Sequence, residues 1–347
     1  YLLNKHSKLQ YKSDLNKALI EINKTEINVL NRDYFSLNGG IEFINPAHPF
    51  SYDIDLFGKG SFFQYANRTV TNEGRQEFVD LLTNNDILNI ENKQQSIQEL
   101  SKKPKWRQQF SALASLVKVE HPAKEIVNWI HNYKSVFPKF LSFLPTLFSI
   151  ISLVFIVLIA MQMIADQILL LWIFVGLGIS GAYYNKVNEL YKEASNAKDT
   201  FKQYHKLLGE IETASFESEI LKEKQQEIQT ESQKASVIFA KFSKILDAFD
   251  QRNNLIIGSF GNVLLLRDLK LAHNLEKWMD SYKTKVADWI NVIAFFDAQN
   301  SLANFAFNHP NYVFPEIVQQ KNVIAAQNLG HPLLKVLQRI DNDFTIE

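Results

Sequence analysis

Residues 140–164 read FLSFLPTLFSIISLVFIVLIAMQMI without one charge, and after Ala165-Asp166 a second uncharged run, QILLLWIFVGLGISGAYYN, fills residues 167–185. At about 1.5 Å per residue, the first run, bounded by Phe140 and Ile164, is long enough for a hydrocarbon core of roughly 30 Å. Asp166 is the only charge between Lys139 and Lys186, so the pair predicts two antiparallel membrane helices joined by a tight turn. Lys134 and Lys139 precede the pair and Lys186 and Lys192 follow it, which puts both chain ends on the cytoplasmic side. Gly176 with Ser180, and Gly178 with Ala182, are small residues four apart that let the second helix approach a neighbour closely. The competing reading is a buried helical hairpin of a water-soluble protein, which is also apolar all round. Two adjacent charge-free runs of this length favour the membrane.

Downstream of the hairpin, Val187, Leu190, Ala194, Ala197, Phe201, Tyr204, Leu208 and Ile211 alternate in steps of three and four, a heptad seam on a helix continuing from the second span. The seam fades in the charged segment 217–231 and resumes with Val237, Phe239, Phe242, Ile245, Leu246 and Phe249. Long semi-rigid rods and an ordinary helical bundle both carry such a pattern, and periodicity alone favours the bundle. Upstream, Gly39-Gly40 reads as a turn between the alternating segments 34–37 and 41–44, which predicts a small extended region within residues 31–55. Glycine and proline are sparse, at 12 and 9 of 347 residues, so the rest is read as helix and the fold class as mainly α.

Lysine plus arginine number 37 and so do aspartate plus glutamate, which leaves no global pull toward nucleic acid or anionic lipid. Without cysteine there are no disulfides, thiolate metal sites or cysteine nucleophiles. His48, His121, His309 and His331 each precede proline, which fits local turns, and no histidine pair has metal-site spacing on a helix. Gly58-Lys59-Gly60-Ser61 fails as a phosphate loop, because Gly60 separates lysine from serine and Asp53 stands where the first glycine belongs. Asp53 and Asp55 form no carboxylate catalytic pair without an accompanying nucleophile, and turn roles suit them better. The one dense basic cluster, Lys102, Lys103, Lys105 and Arg107 around Pro104 and Trp106, is a candidate for phosphate contact and equally a solvated loop between helices.

Three separated stretches resemble the MutS family of ATP-dependent DNA mismatch-repair proteins. The first runs from Asp55-Leu56-Phe57 through Asn67, Thr69 and Thr71 to Gly74-Arg75 and then Phe78-Val79-Asp80-Leu81-Leu82; it is similar to the start of that family's core domain, with Thr69 and Thr71 suited to capping a helix. The second, WINVIAFFDAQNSLANFA at residues 289–306 with Tyr312, Pro315 and Ile317 after it, resembles the helix that returns from the lever to the ATPase domain. Asp250 to Asn254 and Gly261 to Asp268 are similar to the joint between rod and core in membrane-associated members. The third, Gly330-His331-Pro332 followed by Arg339-Ile340-Asp341-Asn342-Asp343-Phe344, is similar to the opening of the ATPase domain, with Arg339 where the family usually has an aromatic residue beside the adenine. The family's phosphate loop follows about ten to fifteen residues later, a spacing the resemblance supplies, and the chain stops before it. No mismatch-reading phenylalanine-x-glutamate motif precedes the core.

The organisation expected from these readings is an N-terminal helix and extended segment (1–56), a MutS-like core, first part (57–136), a two-helix transmembrane hairpin (137–185), lever or coiled-coil helices (186–250), a second part of the core (251–327) and the start of a truncated ATPase domain (328–347). Both chain ends read as cuts. The hairpin is marked by Phe140, Ile164, Gly176 and Gly178, and the DNA-contact candidates are Lys102, Lys103, Lys105 and Arg107. By resemblance, Arg339, Ile340 and Asn342 are nucleotide-edge candidates, and the parent uses ATP and magnesium, contacts DNA and forms a homodimer. The fragment itself carries no catalytic residue, cofactor or metal. Its expected location is the inner or cytoplasmic membrane, or the cytoplasm if the hairpin is buried. A membrane-tethered helical scaffold with a MutS-like fold and no DNA role is the alternative.

Overall fold

The computed structural model describes residues 2–84, 86–117, 119, 122–229, 233–253, 255–318, 324–335 and 338–346. The protein is mainly helical, with 68% helix and a single two-stranded sheet among the described residues. In chain order the helices are α1 (Leu2–Leu30), α2 (Phe62–Ala66), α3 (Asn72–Thr83), α4 (Ile90–Ser101), α5 (Pro104–Ser115), α6 (Ala123–Asn132) and α7 (Leu144–Ala160). They continue as α8 (Gln167–Ser195), α9 (Lys198–Thr213), α10 (Glu219–Glu227), α11 (Ala235–Asp250), α12 (Leu255–Leu265), α13 (Arg267–Tyr282) and α14 (Val286–Asn308). Strand β1 (Ile324–Leu329) pairs antiparallel with β2 (Asn342–Ile346), Ile324 opposite Ile346 and Leu329 opposite Asn342. The chain divides into two compact units, one of residues 1–116, 214–226 and 292–347, the other of residues 117–213 and 227–291.

In the first unit, Leu56, Phe57, Phe63, Phe78, Val79 and Ala298 form one apolar cluster. Helix α3 starts at Thr71, whose hydroxyl accepts the Gly74 N–H at 2.9 Å and so satisfies one of the four orphan donors at a helix start. Thr69 does not cap; its hydroxyl donates to Asn67 Oδ1 at 2.7 Å. The small extended region expected within residues 31–55 is corrected: the described backbone there is a series of turns with one 3-10 helix, Ile41–Phe43, and no strand. The reason lies in where its polar groups go. The Gln64 amide donates to the Phe35 and Leu37 carbonyls at 3.1 and 2.6 Å, and Asn38 Oδ1 accepts the Gly40 N–H, so side chains take the place of a partner strand. The turn at Gly39-Gly40 is present, with Gly40 at φ 68°.

In the second unit, all eight seam residues from Val187 to Ile211 are buried. They pack against α11, through Phe239, Phe242, Leu246 and Phe249, while Val237 faces outward. Phe201 meets Phe239 and Phe242 edge-on with ring centroids 4.5 Å apart, and Trp278 of α13 closes the cluster and donates its indole N–H to the Ile238 carbonyl at 2.9 Å. Aromatic rings at these distances contribute beyond the area they bury. Glu276 is buried and fully used: it accepts from Tyr133 Oη, Ser135 Oγ and the Val136 N–H at 2.9, 2.6 and 2.8 Å.

Candidate functional site

The hairpin is the first candidate. The first apolar run forms a helix of 17 residues, α7, where the sequence suggested a span of twenty-five. Pro145 lies in the first turn of α7 and a 3-10 turn, Lys139–Ser142, precedes it, because proline is tolerated at a helix start and not inside. At the other end Gln162 adopts φ 57° and the Met163 N–H returns to the Leu158 carbonyl, a left-handed termination. Among the described residues α8 is the one helix long and apolar enough to cross a membrane, and only 6% of its apolar window is buried. Leu153, Leu171 and Phe174 are 62%, 64% and 62% exposed. Single exposed leucines are ordinary, but here Leu147, Ile150, Val154, Val157, Met161, Met163, Leu170, Val175 and Leu177 join them along α7, the turn after it and the first part of α8.

Within the hairpin the two helices are held by Trp172, which stacks on Phe148 at 4.3 Å and donates to Ser152 Oγ at 2.8 Å. Phe140 is exposed on the 3-10 turn and Ile164 half-buried in the tip turn. The two glycines differ. A Cβ on Gly176 would overlap the Val263 carbonyl of α12, whereas Gly178 faces open space. Gly176 and Ser180 therefore mark a helix crossing, and Gly178 and Ala182 mark an unoccupied face.

The second candidate is polar and internal. Asp297 on α14 is fully buried and accepts the Val70 N–H (3.0 Å), the Thr71 N–H (2.8 Å) and the Thr71 hydroxyl (2.7 Å). Gly74 packs so closely that a Cβ there would overlap the carboxylate. Burial pushes the Asp297 carboxyl up to about 7, against the pull of these donors and of Arg75. One helical turn on, Ser301 Oγ accepts the Arg68 N–H at 3.0 Å, and Arg68 Nε donates to Glu26 at 2.5 Å. Glu26 also accepts from Asn304 and Asn308, both at 2.8 Å. These bonds bring together residues 55–82 and 289–306, two of the three stretches carrying the family resemblance.

The structure separates the basic cluster. Lys102 and Lys105 are exposed, while Lys103 donates to the Ser215 carbonyl at 2.9 Å and pairs with Glu99. Arg107 is 4% exposed: it donates to the Leu100 carbonyl and to Asn304 Oδ1, both at 2.9 Å, and its guanidinium lies over Phe307. It acts as internal packing and presents no charge outward. Arg339 makes a two-pronged pair with Asp341, at 2.6 and 3.0 Å, and donates to Tyr312 Oη at 2.8 Å. Ile340 is exposed at the surface, and Asn342 begins β2. Among the described residues no group of three or more His, Asp and Glu is placed to hold a metal ion. Nothing in the sequence singles out Glu26 or Glu276; the signal for Asp297 is an acid inside an otherwise apolar helical turn, FFDA. No family model, no curated protein and no solved structure matches this chain.

Proposed function

We propose that this chain is the non-catalytic core and lever part of a membrane-anchored MutS-like protein, held in the bilayer by α7 and α8. The observation that supports anchoring is the continuous apolar surface of the hairpin, with Leu153, Leu171 and Phe174 all more than 60% exposed. Burying such side chains stabilises at roughly 25 cal/mol per Å² of apolar surface, and nothing within the described hairpin does so for them. The positive residues Lys139 and Lys186 flank the pair at the side where the chain ends are proposed to face the cytoplasm. The MutS-like part rests on the resemblance, and the Asp297 node supports it by joining two of its stretches across 226 residues of sequence.

In the family's manner, ATP and magnesium bound by a domain beyond this chain would move the helices and alter the grip on DNA, in a homodimer. Liposome co-sedimentation, ATP hydrolysis and gel shifts with duplex, mismatched and branched DNA at several salt concentrations test this on the longer protein that carries the chain. Sedimentation with liposomes, hydrolysis and salt-sensitive DNA binding are expected. Membrane binding without DNA binding would leave a tethered helical scaffold, and a protein that neither sediments with liposomes nor hydrolyses ATP would overturn the proposal.

A further inference from the structure

Helix α12 is 11 residues long, about 16 Å at ~1.5 Å per residue, roughly half a hydrocarbon core. No charge occurs from Asn253 to Leu266. It runs antiparallel to α8: Arg252, just ahead of it, lies over the Tyr191 ring, Asn262 meets Ser180, and Val263 meets Gly176. As α12 advances, its partners on the hairpin therefore move away from Lys186 and toward the tip. The chain then reverses at Leu266, at φ 48°, and returns as α13.

The end of α12 is the telling feature. The last carbonyls of a helix have no partner within it, and in water they are simply solvated. Here the hairpin supplies hydroxyl contacts: Ser180 Oγ donates to the Asn262 carbonyl at 3.1 Å, Ser152 Oγ shares its proton between the Leu264 carbonyl at 2.7 Å and the Phe148 carbonyl of its own helix at 2.8 Å, and Ser149 Oγ, bonded to the Pro145 carbonyl at 2.7 Å, lies 3.2 Å from that of Leu265. Backbone that ends within lipid must be satisfied by protein in this way. Asn262 also accepts the Asp268 N–H at 2.9 Å, covering one donor at the start of α13. Arg267 turns its guanidinium back along the chain to the Ala248 carbonyl and Gln251 Oε1, both at 2.8 Å, as a cation does when it reaches from an apolar depth toward the interface. Asp268 sits in the first turn of α13, where the helix dipole favours its charge.

The geometry points to α12 as a third membrane-embedded element, a re-entrant helix lying in the leaflet on the side of Lys139 and Lys186. It rests on the anchoring proposed for the hairpin. Its outward face carries Phe260, 63% exposed, and Leu265. Beside α7 it leaves an open cleft of about 450 Å³ lined, among the described residues, by Leu153, Ile156, Phe260, Gly261, Leu264 and Leu265 together with Ser149, Ser152 and Arg267. The serine hydroxyls there are already donated to carbonyls, so the cleft offers methyl and methylene surface, and its occupant is a phospholipid acyl chain continuous with the lipid around the hairpin.

The absence of cysteine makes the test direct. Full chains carrying Phe260→Cys, Leu265→Cys, Leu171→Cys or Phe35→Cys are labelled with an environment-sensitive fluorophore and reconstituted into phosphatidylcholine–phosphatidylglycerol vesicles. Brominated acyl chains should quench the labels at 260, 265 and 171 at least about twofold, and leave 35 to aqueous iodide. Lipid quenching at 171 with iodide quenching at both 260 and 265 would overturn the re-entrant helix and leave the anchor standing. Loss of lipid quenching at 171 as well would remove the anchor and this inference together.

Discussion

The Asp297 node and the α7–α8 hairpin treat their misfit atoms in opposite ways. At the node a carboxylate with no access to water is surrounded by donors, with Thr71 supplying two of them and Gly74 clearing the space. On the hairpin, Leu153, Leu171 and Phe174 each keep more than 60% of their surface uncovered. Burying a charge is tolerated when every lone pair is met, and exposing a continuous apolar surface is tolerated when the surroundings are themselves apolar. The node is thus satisfied within the chain, and the hairpin leaves its apolar surface uncovered.

The largest effect should come from placing charge on the exposed face. Leu153→Asp with Phe174→Asp puts two acids near the centres of the apolar segments, each costing about 3 kcal/mol on an insertion scale, so the membrane partition constant read by vesicle flotation should drop by several orders of magnitude. Equal flotation of the variant would break the contrast from the hairpin side. Next, Asp297→Ala strands the Val70 and Thr71 donors in the core at about 1–3 kcal/mol each, so urea unfolding of the chain should lose about 3 kcal/mol or more. A variant as stable as the parent would mean that water reaches the node.

A smaller difference separates the two glycines. Gly176→Ala should cost about 1–3 kcal/mol of thermal stability in detergent through overlap with the Val263 carbonyl, and Gly178→Ala should fall within about 0.5 kcal/mol. Equal costs would place the helix crossing elsewhere. The gentlest probe is pH. Asp297 has its folded pKa raised from 3.8 to about 7, so its folded form holds the proton more tightly than the unfolded chain. Its contribution to stability is full below about pH 4 and falls away as pH rises through about 7, with a slope of at most about 1.4 kcal/mol per pH unit. Asp297→Asn should flatten that window in pH-dependent unfolding, and an unchanged slope would assign it to other groups.

The helical pair α7 and α8 is legible as two neighbouring uncharged runs parted at Ala165-Asp166. The extent of α7 was not, because Phe140 to Ile164 is uniformly apolar while the helix ends are set by Pro145 and by the left-handed turn at Gln162. Helix α12 carries little signal, since Gly258, Ser259, Gly261 and Asn262 dilute its apolar pattern over a length too short to span. The seam from Val187 to Ile211 was readable as a buried face, periodicity being local. What Asp297 touches was not readable, since its partners lie 226 residues away. Residues 31–55 misled through their alternation, which a strand needs a neighbour to use; Gln64 stands in for that neighbour.

Membrane anchorage is the claim on which the rest turns, and flotation of the purified full chain with liposomes after an alkaline carbonate wash tests it most directly. The hairpin surface predicts that the protein rises with the lipid and stays there through the wash. A chain that remains monodisperse at the bottom of the gradient without detergent would contradict it.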